Sequence, residues 1–80
     1  MTQAETKQTY AVWLRERMDE RQLTQRSLSK LINPDDPETA RRSVRRYLKG
    51  MVPLERSRRI IADALGSEDI GPDDADEEGD

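Results

Sequence analysis

The segment ETARRSVRRYLKG, residues 38–50, places five basic side chains, Arg41, Arg42, Arg45, Arg46 and Lys49, within nine residues. Cations this dense are suited to the binding of a polyanion. On a helix of 3.6 residues per turn, Arg41, Arg45, Lys49, Arg42 and Arg46 fall on one arc of about 140°, and Ala40, Val44, Tyr47 and Leu48 on an opposing arc of about 100°. One face is built to pack and the other to carry charge. The competing reading is an ordinary solvated helix face. Such a face normally interleaves acids that form i,i+4 ion pairs, whereas no acid follows Glu38 here, so the cations repel one another. Four of the five are arginine, whose planar fork suits bidentate contact with phosphate or with a guanine edge.

Other chemistries lack their reagents. The 80 residues include no Cys and no His, which removes thiolate nucleophiles, thiolate metal ligands, the usual general base at neutral pH and the commonest zinc ligand. The adjacent carboxylates Asp19–Glu20 and Asp35–Asp36 fall on a polar helix face and in a turn, without the apolar pocket that would tune an acid–base pair. No glycine-rich phosphate loop is present. Asp74, Asp76 and Glu78 before Gly79 open like a calcium loop, but the sequence ends before the twelfth position that needs a bidentate Glu. The expectation is a binding protein and not an enzyme, with no cofactor, no metal and no small-molecule substrate.

The formal net charge of -3 hides an asymmetry along the chain. Residues 1–66 hold all 14 Lys and Arg against nine acids, and residues 67–80 hold eight acids and no base. A basic domain thus carries an acidic tail. No run approaches the roughly 18 apolar residues of a membrane span, and the N-terminus lacks an export signal, so a cytoplasmic location and no membrane partner are expected.

The elements that must position the stripe are helices. Thr9 caps a first helix running to about Arg21, with Tyr10, Ala11, Leu14 and Met18 as its core stripe. Trp13 lies about 60° off that stripe, at the edge of the core or as a partner contact. Thr24 caps a short second helix whose buried side is read as Leu28, Leu31 and Ile32. NPDDP ends it, and Asp36 followed by Pro37 starts a third helix to Lys49, with Gly50 as a left-handed cap. A fourth follows Pro53, with Leu54, Ile60, Ile61, Ala64 and Leu65 inward and Gly66 as its stop. The expected organisation is an N-terminal arm (1–8), an all-α domain (9–66) and a disordered acidic tail (67–80).

LRERMDERQLTQRSLSKL, then ARRSVRRYLKG, Pro53 and RRIIADALG together resemble the Cro and phage-repressor type (XRE-type) helix-turn-helix family over about residues 10–66. The resemblance implies a compact, lambda-repressor-like bundle of four to five helices that binds double-stranded DNA as a transcriptional regulator, a phage or bacterial repressor of the Cro sort. It implies that Arg41, Arg42 and Arg46 read base edges, and that Ser43, Arg45, Gln25 and, less directly, Lys49 meet the phosphate backbone. The chain departs from the family pattern by about five extra residues between Leu28 and Gly50, in the NPDDPE turn, and by lacking a clear fifth helix for a homodimer on a palindromic site. The alternative function is a protein-interaction module, such as an antirepressor, binding an acidic partner through the arginines and Trp13. Two roles are open for the acidic tail: keeping a basic domain in solution, or competing with phosphates for the stripe.

Overall fold

A computed structural model describes residues 8–73. Four helices account for its regular structure: α1 (Tyr10–Glu20), α2 (Gln25–Ile32), α3 (Pro37–Leu48) and α4 (Glu55–Leu65). The protein is all-α, with no strand among the described residues.

Each of the first three helices starts on a side-chain cap that is visible in the sequence. The Thr9 hydroxyl accepts from the Val12 N–H at 3.4 Å, the Thr24 hydroxyl from Ser27 N–H at 3.0 Å, and the Asp36 carboxylate from Thr39 N–H at 3.3 Å. These bonds satisfy donors that a first helical turn leaves without intrahelical partners. The C-termini close by a different device. Met51 N–H donates to Arg46 O and Gly50 N–H to Tyr47 O, both at 3.1 Å, while Gly50 holds φ at 128°. This paired closure is possible because glycine has no Cβ to clash at positive φ. Gly66, at φ 70°, ends α4 in the same way. At the end of α1 the left-handed position falls on Gln22, at φ 55°, with Leu23 N–H donating to Met18 O at 2.8 Å.

The core consists of Tyr10, Trp13, Leu14, Met18, Leu28, Val44, Ile61 and Leu65, with Leu23, Ile32, Tyr47, Leu48, Val52 and Ala64 packed around it. α3 packs on both α2 and α1, and α4 packs on α2. Tyr10 sits at the centre, 5.4 Å from the Trp13 ring centroid and 6.3 Å, edge to face, from Tyr47.

Three apolar residues expected inside lie outside. Leu31 is 54% exposed, Ile60 46% and Leu54 80%. On α2 the inward positions are Leu28, Ile32 and the buried Ser29, whose hydroxyl donates to Gln25 O at 2.6 Å. The small, internally satisfied serine fits where α2 crosses α3, which turns Leu31 toward solvent. On α4 the inward arc is Ile61, Ala62 and Leu65, and Arg58 shares it. The Arg58 guanidinium folds back to donate to the Pro53 carbonyl at 3.1 Å.

Beyond Gly66 the chain turns back along α1. A Cβ built on Gly71 would lie 2.8–3.0 Å from Trp13 ring atoms, so its backbone rests directly on the indole. Ile70 is half-buried. Residues 74–80, which include the acids read as a calcium-loop opening and are half of the span 67–80 read as disordered, lie outside the described residues, as does most of the N-terminal arm.

Candidate nucleic-acid interface

α2, the four-residue turn 33–36 and α3 present the charge. The turn is held by Asp36 N–H, which donates to both the backbone carbonyl and the side-chain Oδ1 of Asn33, at 3.1 and 3.2 Å. Residues 33–36 therefore form a defined corner. Asp36 is committed to capping, since its second oxygen accepts from the Thr39 hydroxyl at 2.8 Å.

On α3, Ala40 and Val44 are buried and Tyr47 and Leu48 half-buried, while Arg42, Arg45, Arg46 and Lys49 are exposed. The four cations line one shallow surface depression. None of the five stripe cations is in a salt bridge or donates a side-chain hydrogen bond among the described residues. Their charge is not neutralised locally, and Arg45 and Arg46 lie in the last turn, where the helix dipole favours cations.

Arg41 takes a different position from its neighbours. It is half-buried and lines a groove between α2 and the start of α3 with Arg26, Ser29, Lys30, Pro37 and Glu38. Arg26 and Lys30 were not among the residues expected from sequence. Both are exposed, and they extend the basic surface from α3 onto α2. The signal was available in their i,i+4 spacing on one helical row, but it has meaning only once α2 is laid against α3. Glu38 is the one acid in that groove. It also sits in the first turn of α3, where a negative charge complements the dipole.

The remaining candidates are separated from the stripe. Gln25, the first residue of α2, lines a depression with Arg15, Met18, Asp19, Leu23 and Leu48, on the side of α3's C-terminal end. Ser43 lines a groove with Ile32, Thr39, Tyr47, Ser57 and Ile60, on the α4 side of α3. The structure thus groups Arg42, Arg45, Arg46 and Lys49, sets Arg41 beside Arg26 and Lys30, and places Gln25 and Ser43 at two flanks.

Trp13 is 2% exposed. Its ring is covered by Gly71 and lies 5.9 Å from the Arg17 guanidinium. Of its two sequence readings the core role is the one observed, and Trp13 offers no surface to a partner.

No helix among the described residues is long and apolar enough to cross a membrane. Comparison with protein-family models, with curated proteins and with solved structures finds no match to this chain.

Proposed function

We propose that this protein binds double-stranded DNA as a sequence-specific transcriptional regulator, with α3 entering the major groove. The observation that carries the reading is the unneutralised stripe of Arg42, Arg45, Arg46 and Lys49 on the outward face of a helix whose other face is core. A helix of about 10–12 Å diameter fits the roughly 12 Å major groove of B-DNA. α2 and the corner at 33–36 hold such a helix forward in the manner of a helix-turn-helix unit.

In this reading Arg41, Arg42 and Arg46 contact base edges, and Arg45, Lys49, Gln25 and Ser43 contact phosphates. Arg26 and Lys30 add phosphate contacts beside Arg41. The protein acts by occupancy and performs no catalysis. A repressor of the Cro type, in a bacterial or phage-infected cytoplasm, is the form of regulator that the family resemblance suggests, and a homodimer on a palindromic site is its natural extension. The rival, a module that binds an acidic protein, keeps the arginines but loses Trp13 as its anchor.

The test is a fluorescence-anisotropy titration of labelled duplex at two salt concentrations. Neutralising about four phosphates, through Arg45, Lys49, Arg26 and Lys30, predicts that log K falls with log salt at a slope of about −3.6. Absence of binding at low salt by a chain whose tail acids have been neutralised would overturn the proposal.

A further inference from the structure

The stripe on α3 has no acidic partner among the described residues, yet residues 74–80 of the same chain hold five acids, Asp74, Asp76, Glu77, Glu78 and Asp80, and no base. The described structure places the root of that segment. Gly71 rests on Trp13, Trp13 packs on Tyr10, and Tyr10 packs on Tyr47 of α3. From this root the stripe is two aromatic contacts and one helix diameter away, a path of ~25 Å. Extended from Gly71, the chain carries Asp74 about 10 Å, Asp76 about 17 Å and Glu77 about 20 Å, and carries Glu78 about 24 Å and Asp80 about 30 Å. Reach and charge complementarity therefore select Glu78 and Asp80 as the occupant from within the chain.

We propose that the acidic end of this segment, Glu78 and Asp80, competes with nucleic-acid phosphate for the Arg42, Arg45, Arg46 and Lys49 surface, so that the chain carries its own weak, salt-sensitive competitor. The proposal rests on the DNA-binding reading for its consequence, but the contact itself does not. A tethered competitor acts at a local concentration in the millimolar range, while exposed ion pairs are individually weak and screened by salt. The outcome is modest attenuation at low salt that disappears as salt rises. Such attenuation penalises weak, non-specific DNA contacts more than contacts strengthened by base recognition.

The experiment compares the full chain with the full chain carrying D74N, D76N, E77Q, E78Q and D80N. Two readouts are taken: duplex-DNA affinity at low and moderate salt, and the arginine Nε–Hε NMR resonances with no DNA present. The expected result is about 2- to 10-fold tighter DNA binding by the neutralised chain at low salt, a gap that closes at moderate salt, and displaced resonances for Arg42, Arg45 and Arg46. A gain in affinity with unmoved arginine resonances would reflect net charge alone and would overturn the proposal, as would equal affinities at low salt. Displaced resonances in a protein that binds no DNA in either form would uphold the contact and defeat the DNA-binding reading instead.

Discussion

On α1, Arg15 donates to the Leu48 carbonyl at 3.4 Å and Arg17 pairs with Glu20 at 2.8 Å, while Arg21, the C-cap of α1, pairs with Glu20 at 3.2 Å and also donates to the Leu65 carbonyl. On α3, none of the four arginines has such a partner among the described residues. The two helices are of similar length, 11 and 12 residues. α1 interleaves Glu16, Asp19 and Glu20 with its arginines and uses the result to tie the domain together. α3 omits acids after Glu38 and tolerates like charges at 41/45, 42/46 and 45/49, each costing a few tenths of a kcal/mol. An anionic ligand would relieve that cost. Charge on α1 is structural, and charge on α3 has no partner among the described residues.

The sharpest way to break this contrast is to remove each set. Replacing Arg41, Arg42, Arg45 and Arg46 with Ala should lower low-salt DNA affinity by about three orders of magnitude and flatten its salt dependence. Arg17→Ala with Arg21→Ala should leave the salt dependence of binding unchanged. Equal effects of the two sets in anisotropy titrations would erase the distinction.

A single replacement, Arg42→Ala, should cost about 1–3 kcal/mol of DNA affinity and relax preference at one base pair. A binding selection from randomised duplexes would show this. A uniform loss across all sequences would move Arg42 from base reading to phosphate contact.

The inward side of α1 makes a pH prediction. Burial raises the Tyr10 hydroxyl above its ordinary pKa, Tyr47 adds to the rise, and Arg58 opposes it. The folded state therefore keeps a proton that the unfolded chain releases near pH ~10. The contribution to stability is complete below that pH and declines above it, at up to ~1.4 kcal/mol per pH unit. Urea denaturation between pH 8 and 11 (a range bracketing ~10) should show the decline, and Tyr10→Phe should remove this component. Tyr10→Phe should also be tolerated at neutral pH, because the buried hydroxyl has no hydrogen-bond partner among the described residues.

The smallest effect concerns the corner that joins α1 to α2. Gln22 occupies the left-handed region at φ 55°, so Gln22→Gly should stabilise the fold by ~0.5–1 kcal/mol with no change in DNA affinity. Thermal melts beside anisotropy titrations would check both halves.

The helices were legible because their signals are local. Thr9, Thr24 and Asp36 cap where a polar side chain precedes a periodic apolar run, and Gly50 and Gly66 close helices where positive φ is needed. The exit from α1 was not legible, since Gln22 is not a residue that announces a left-handed turn. The four exposed cations of the site were readable from their spacing. Arg26 and Lys30 were not, because nothing in α2 alone says that its polar row borders α3. Leu31 and Ile60 were misplaced for a related reason: hydrophobicity suggests a buried side chain, but Ser29 took an inward direction by donating to the Gln25 carbonyl, and Arg58 did so with one guanidinium nitrogen on the Pro53 carbonyl and its buried Nε without a partner among the described residues.

The sequence by itself determined the all-α class, the capped starts of α1, α2 and α3 and the separation of packing and cationic faces on α3, because caps and a 3.6-residue period act within a few residues. Only the tertiary structure decided which arc of α2 and α4 faces inward, that Arg41 joins α2's cations, and that Trp13 is sealed beneath Gly71. A helical wheel supplies angles about one axis. The direction from which neighbouring helices and the returning chain approach that axis depends on how all of them pack together.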